Sequence, residues 1–391
     1  MTVPDEERLA RATLCAIAEP GEALLGRLID RVGARGALAV VRGTEPVPDG
    51  VPITDRARAR LAAWQARLAG TDPESDLEIC DRIGGRMICP GDPEWPAALD
   101  DLGDHRPYAL WLRGSADLRH ACLRAVAIVG ARAASPYGTR IAADLGAELA
   151  DAGWTVISGG ALGIDGAAHR GTLAADGRTI AVFAGGVDRF YPPRNEVLFL
   201  EIIEHGLLVS ESPPGTDPSR LRFLIRNRLI AALARGTVVI EAAARSGALN
   251  TAAHTRDLGR PLMAVPGPVD SLTSVGCHRL LREVPPARCV TNSAEVLEEI
   301  GTIGVDLAPV PQGPLLPHDA LDPTTRAVLE ALPARGSAGT AQIAVKAGVD
   351  LSTATGRLGQ LAAAGFVERA QTGWRLRRPK KPRPSRPLQP P

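Results

Sequence analysis

Five segments are rich in glycine, hydroxyl or arginine residues at spacings suited to holding an anion. The first runs Gly130-Ala131-Arg132-Ala133-Ala134-Ser135-Pro136-Tyr137-Gly138. Ser135 is a good N-cap and Pro136 suits the first helical position, so a helix is predicted to begin there. Unpaired amides at such a start attract an anion, and Arg132 adds a charged fork over it. The spacing is not G-x-G-x-x-G, so no dinucleotide cofactor is implied. A purely structural strand-to-helix turn has the same composition, and both readings stay open. The second segment, Ser158 to His169, carries Gly159, Gly160 and Gly163 ahead of Asp165. Glycines this dense permit close backbone approach, the make-up of a phosphate-cradling turn. His169 lies one turn after Asp165, and the preferred reading is a buried structural hydrogen bond between the two.

The third segment, Gly185 to Asn195, places Tyr191, Arg194 and Asn195 in a proline-stiffened turn, and aromatic faces beside guanidinium groups suit a single-stranded base and its phosphate. Phe190 fits a core position equally well. The fourth, residues 219–240, contains Arg220, Arg222, Arg226, Arg228 and Arg235 and no acid, with Arg226-Asn227-Arg228 just before an apolar run. A solvated helix face usually mixes signs, so one sign alone points to an anionic partner. In the fifth, Glu241 ends a strand and Ser246-Gly247 opens a helix with another crown of amides. Pro266-Gly267-Pro268 closes the last large loop.

The elements that position these loops follow from periodicity. Short β-branched runs at Val126–Val129, Thr155–Ser158, Thr179–Phe183, Leu207–Ser210, Thr237–Ile240, Leu262–Val265 and Arg288–Val290 alternate with amphipathic helices. Ile141, Leu145 and Leu149 mark one such helical face. This repetition predicts an α/β fold, a parallel sheet covered by helices, with ligands at the carboxyl ends of the strands. Residues 1–75 read as a helical domain, with Leu24, Leu25, Leu28, Ile29 and Val32 at helical spacing before Gly33. In the stretch that follows, Ile79-Cys80 and Met87-Ile88-Cys89 are candidate strands. Residues 76–301 form the core and 302–321 a Pro- and Gly-rich linker. In residues 322–377 the order helix, helix, turn at Gly348, helix, hairpin is that of a winged helix-turn-helix, with Thr353, Arg357 and Gln360 on its recognition helix. A basic, proline-rich tail, residues 378–391, is expected to be disordered.

Composition bounds the reading. The chain has 391 residues, 45% hydrophobic and 23% charged, with a net charge of +1, ordinary for a globular protein. No run approaches the ~20 apolar residues of a membrane span, and the acidic N-terminus has no secretory signal, so no membrane partner and a cytoplasmic location are expected. Of the 45 basic residues 42 are arginine, the side chain best shaped for phosphate. The six cysteines lie far apart without C-x-x-C, so neither a metal site nor a disulfide framework is indicated. Aromatics at 3% argue against a platform of many stacked rings.

Taken in order, V-G-A-R-x-x-S-x-Y-G (129–138), S-G-G-A-x-G-I-D-x-x-A-H (158–169), Y-P-x-x-N (191–195), S-E-x-P-x-G-x-x-P (210–218), R-N-R-x-I-A (226–231), E-A-x-x-x-S-G-x-L-x-T-A (241–252) and A-V-P-G (264–267) resemble the DNA-processing protein A family, also called DprA or Smf. The resemblance implies an extended Rossmann-like parallel core with an N-terminal helical domain and a C-terminal winged helix. It implies a non-catalytic single-stranded DNA-binding protein of natural transformation that protects the strand, loads a RecA-type recombinase and pairs into a homodimer. Carried over by motif, Arg132 and Ser135 belong to the DNA-contacting first loop, and Gly130 and Gly138 are counted as DNA-binding beside them. Ser158, Gly159 and Gly160 line the cradle, Arg226, Asn227 and Arg228 belong to the basic groove, and Gly163, Tyr191, Arg194, Asn195, Ser246 and Gly247 are counted as DNA-binding with them. Phe223 is followed by Leu224 where the family often has proline, and Pro193 follows Y-P where it often has a basic residue. Two other readings compete. One is a nucleotide phosphoribohydrolase-like enzyme, for which Glu241 and Arg245 are the only rough counterparts of the catalytic pair. The other is a duplex-binding regulator acting through the winged helix.

Overall fold

The computed structural model describes residues 3–283, 285–302, 308 and 320–377. The chain divides into two compact units, Met1–Pro309 and Val310–Pro391.

The first unit opens with helices α1 (Asp5–Ile17), α2 (Ala23–Arg42), α3 (Asp55–Leu68) and α4 (Pro73–Arg82). Within α2, Gly33 has φ 72°, which breaks the helix into the two pieces that its sequence implies. The expected domain boundary at residue 75 falls inside α4. Ile79-Cys80 is therefore helix rather than strand: Asp72 caps the helix and Pro73 starts it, and these local signals outweigh two apolar residues. Leu14, Leu25, Leu28 and Trp64 of the N-terminal helices share one apolar cluster with Trp111, Phe183 and Phe199 of the following region. Arg8 fastens α1 to Asp92 through two 3.0 Å hydrogen bonds.

The core is a nine-stranded sheet in the order β1 (Gly85–Ile88), β2 (Leu110–Arg113), β6 (Leu207–Ser210), β5 (Thr179–Val182), β4 (Thr155–Ser158), β3 (Ala125–Val129), β7 (Thr237–Val239), β8 (Leu262–Ala264) and β9 (Arg288–Cys289). Strands β3 to β9 are the seven runs expected from the sequence, and they are parallel. The sheet is mixed, because β1 and β2 add an antiparallel edge. Alternation sends Val126 and Ile128 to one face, under α6 (Pro136–Asp151) and α7 (Ile164–Ala174), and Ala127 and Val129 to the other. That second face carries α9 (Arg220–Leu233) and α10 (Ala248–Asp257); α8 (Glu196–His205) joins the cluster of the N-terminal helices. The short helix α5 (Leu118–Leu123) leads into β3, and helices α11 (Val275–Arg282) and α12 (Ser293–Ile300) flank β9 in the chain. Strand order reverses between β3 and β7, so the loops leaving these two strands diverge and leave a crevice at their carboxyl ends. No helix among the described residues is long and apolar enough to cross a membrane.

The second unit holds α13 (Pro323–Glu330), α14 (Thr340–Ala347), α15 (Leu351–Ala363) and the antiparallel pair β10 (Val367–Ala370) and β11 (Gly373–Leu376) around Val328, Ile343, Leu358 and Leu361. Gly348, at φ 70°, makes the turn between α14 and α15. Of the expected linker, residues 303–307 and 309–319 lie outside the described residues, as does the whole expected tail, 378–391.

Candidate nucleic-acid interface

A trough of about 940 Å³ opens at the strand-order reversal. The loop after β3 (Gly130, Arg132), the start of α9 (Arg220, Phe223, Arg226), the loop after β7 (Arg245, Ser246, Gly247), and Tyr191 line it. The Phe223 ring is among its lining. The guanidinium of Arg132 sits 4.9 Å above that ring and that of Arg226 5.7 Å away, while the Tyr191 ring approaches to 5.7 Å. Tyr191 is exposed and presents a ring to the trough, whereas Phe190 packs against Phe199 at 5.7 Å, the core alternative. Among the described residues no ion pair engages Arg132, Arg220 or Arg245. Sequence reasoning missed Phe223 as a site residue; it counted Arg220 in the basic run and Arg245 as a rough catalytic counterpart, but placed neither among the DNA-binding residues. The available signal was helical spacing, since Arg220, Phe223 and Arg226 recur every three residues and so share one side of α9.

The amides expected to cradle an anion already hold internal carboxylates. Ser135 caps α6 as predicted, its hydroxyl accepting from Gly138 N at 3.0 Å. Yet Ser135 N and Oγ both donate to buried Glu241, at 2.9 and 2.6 Å, and Thr273 Oγ1 donates to it at 2.9 Å. A Cβ on Gly138 would lie 2.4 Å from that carboxylate, so glycine there makes room for Glu241 rather than for a ligand. In the second loop Asp165 accepts from Gly159 N at 3.2 Å and Ala161 N at 3.4 Å. Burial raises the Asp165 carboxyl above its usual range, against the pull of Arg226 and these amides. Ser158 bonds Ile128 O at 2.6 Å in the interior. Gly163, at φ 81°, brings the chain so close to Ala131 O that a Cβ would be 2.3 Å away. The start of α10 is different: Ser246 and Gly247 face the trough, and a Cβ on Gly247 would meet nothing.

Helix α9 divides its arginines. Arg226 is buried at the trough wall, bonds Val182 O and, at 2.9 Å, Gly159 O, and leaves Nε without a partner among the described residues. Burial pushes its guanidinium down to about 10, with Asp165 opposing and Arg132 adding to the shift. Arg228 points the other way. It is sealed in a bidentate pair with buried Glu211, both contacts 2.6 Å, and bonds His105 O at 3.0 Å. Its placement in the DNA groove is therefore corrected: alternation along the helix turns it toward the 3-10 segment Ala97–His105. Arg222 likewise pairs with Glu19 of the N-terminal region at 2.9 Å. Asn227 lines the trough but spends its amide on Gly247 O and Asn250 Oδ1, at 3.3 and 3.1 Å. Asn195 is buried, clamping Gly160 O at 3.0 Å, and Arg194, though exposed, is not part of the lining.

His169 meets neither Asp165 nor open space. It is fully buried, bonds Thr179 Oγ1 at 2.7 Å, and burial lowers its pKa to about 3. In the second unit, Thr353 Oγ1 donates to Asp350 at 2.6 Å, the cap of α15, and Arg357 pairs with Asp322 at 3.4 Å and Gln360 at 3.0 Å. Gln360 is exposed but engaged by that bond. All six cysteines are free thiols, and among the described residues no group of three or more ligand-type side chains is placed to hold a metal.

Comparison with known proteins places the chain. Residues 86–301 match the family model described as DNA recombination-mediator protein A. The DprA protein of Mycobacterium tuberculosis is 44% identical over 384 residues, covering 96% of this chain and 95% of the relative. The DNA processing protein DprA of Streptococcus pneumoniae is 39% identical over 209 residues, 52% of this chain and 71% of the relative. A crystal structure of the S. pneumoniae protein superposes with a TM-score of 0.61 at 28% identity, covering 77% of this chain and all of that one. With the seven motifs in order, a family model matched over residues 86–301 and 44% identity along nearly the whole length of a DprA relative, this chain belongs to the DNA recombination-mediator protein A (DprA/Smf) family.

Proposed function

We propose that the trough binds single-stranded DNA without catalysing a reaction on it, in the DNA processing of natural transformation. One observation carries this reading. Three exposed arginines with no ion pair among the described residues, Arg132, Arg220 and Arg245, share the crevice where ligands of such sheets bind with the rings of Phe223 and Tyr191. Guanidinium groups take successive phosphates, and two rings accept bases of any sequence. The site residues are thus Arg132, Arg220, Tyr191, Phe223, Arg226, Arg245, Ser246 and Gly247. Gly130, Ser135, Gly138, Ser158, Gly159, Gly160, Gly163, Asn195 and Asn227 hold the walls in place. Protection of the strand, hand-over to a RecA-type recombinase, homodimer formation and a cytoplasmic location extend the family resemblance to this chain. Residues 322–377 are read as a winged helix. Arg357 is spent on Asp322, which counts against a duplex-reading role for α15.

The enzyme reading loses ground at Glu241. Its carboxylate already accepts three hydrogen bonds and is buried, so it is poorly placed to act as a general base. The test is a titration of labelled oligo-dT and of duplex of equal length across a salt series. Preference for the single strand with a steep salt dependence is expected; equal or stronger duplex binding overturns the reading. Release of free base from a nucleoside monophosphate would restore the enzyme.

A further inference from the structure

The segment between β8 and α11 opens with Pro266-Gly267-Pro268 and then exposes two large apolar side chains, Val269 at 92% and Leu272 at 81%. Isolated exposed apolar residues are common, but here a rigid frame presents two of them. Tyr137 Oη donates to Pro266 O at 2.7 Å, and His278 Nε2 lies 3.0 Å from Gly267 O. Ser271 N bonds Pro268 O at 3.2 Å, and Ser274 N bonds Ser271 O at 3.1 Å. Ala242 N donates to Thr273 O at 2.7 Å. The tip is thus fixed before any partner arrives, which reduces the entropy cost of contact.

Its position points to the partner. Thr273, one residue past Leu272, lines the trough and bonds Glu241, the carboxylate that also anchors Ser135. A strand lying against Arg245 and the start of α10 therefore runs past the base of the tip. From Pro268 to Val275 the loop has no cation, and Asp270 is exposed between the two apolar residues. A negative charge there repels phosphodiester groups, so it is the base side of the strand that meets the tip.

We propose that Val269 and Leu272 form an apolar wedge against the nucleobases of single-stranded DNA leaving the trough. The trough arginines grip the backbone, and the tip packs on bases, as apolar wedges do in other nucleic-acid complexes. The proposal rests on the trough reading above, and the experiment separates the two. Oligo-dT and an abasic oligonucleotide of equal length are titrated against the wild type, a Val269→Ser/Leu272→Ser variant and an Arg132→Ala/Arg220→Ala/Arg245→Ala variant. The serine variant is expected to lose about tenfold on oligo-dT and to hold the abasic strand as the wild type does, while the arginine variant loses on both. As an independent readout, the fluorescence of Leu272→Trp is expected to be quenched by oligo-dT and not by the abasic strand. Unchanged binding of oligo-dT by the serine variant, or equal loss on both strands, overturns the wedge and leaves the trough standing. A lowered sedimentation mass with unchanged binding also overturns it, assigning the tip to contact between two copies. A wild type that binds neither strand overturns the trough reading, and the wedge with it.

Discussion

Removing Arg132, Arg220 and Arg245 together is the sharpest test of where the polyanion lies, because no ion pair in the described structure is lost with them. Each phosphate neutralised adds about 0.7 to the slope of log affinity against log salt for a single strand. The triple alanine variant is therefore expected to show a slope shallower by about 2. A buried charge-assisted hydrogen bond is worth more, but these groups are exposed and screened, so about 1 kcal/mol each is a fair allowance. The summed loss is about 3 kcal/mol, near 150-fold in affinity at fixed salt. Arg228→Ala is the contrasting variant. It strands the buried Glu211 carboxylate, with an expected cost of about 3–5 kcal/mol in unfolding free energy, and leaves the salt slope as it was. Fluorescence anisotropy of labelled oligo-dT from about 50 to 200 mM salt reads the first effect. Urea titration reads the second. The reasoning fails if the triple variant keeps the wild-type slope. It fails equally if Arg228→Ala weakens DNA binding at full stability, since that would return Arg228 to the groove.

Three further outcomes follow from the packing of the loops. Glu241→Ala leaves Ser135 N, Ser135 Oγ and Thr273 Oγ1 without their acceptor, and a loss of about 2–4 kcal/mol in urea-measured stability is expected; a change below about 0.5 would show the pocket to be dispensable. Gly163→Ala forces a Cβ to 2.3 Å from Ala131 O at φ 81° and is expected to cost about 2 kcal/mol or more in thermal unfolding, whereas Gly247→Ala, with open space around it, is expected to be close to neutral. His169 has its folded pKa lowered from 6.5 to about 3, so below pH 6.5 the unfolded chain takes up a proton that the folded chain refuses. Stability from this group is complete above 6.5 and falls as pH drops toward about 3, by up to about 1.4 kcal/mol per pH unit. His169→Gln is expected to flatten that limb of the stability curve, and an identical limb in wild type and variant would assign it to other groups.

The strands were legible because a buried parallel sheet imposes continuous apolar runs, and each of the seven runs became a strand of the sheet. The cap at Ser135 was legible because capping is local. What periodicity does not encode is the partner across the fold. Arg226 and Arg228 look alike in sequence, yet one bonds loop carbonyls beside the trough and the other a glutamate seventeen positions earlier. Phe223 was hidden for the same reason, since its part depends on Arg132 and Tyr191 arriving from other loops. Strand β2, which sits between β1 and β6, was missed because it pairs antiparallel with β6, nearly a hundred residues later in the chain.

The filled helix starts change how this trough handles charge. A glycine-rich loop before a helix ordinarily offers amides to a bound anion. Here Glu241 takes the start of α6 and Asp165 the amides of the second loop, each carboxylate buried and hydrogen-bonded by its own chain. These loops are therefore neutralised from within and serve as rigid walls. Apart from the open start of α10, positive potential is left to side chains at the rim, which reach outward and adapt to a flexible polymer in a way that fixed amides do not. A site of that kind holds phosphates without registering their exact spacing, which suits a protein that must accept any sequence along a strand. It also ties affinity to ionic strength, because rim arginines bind by releasing the counterions that salt restores.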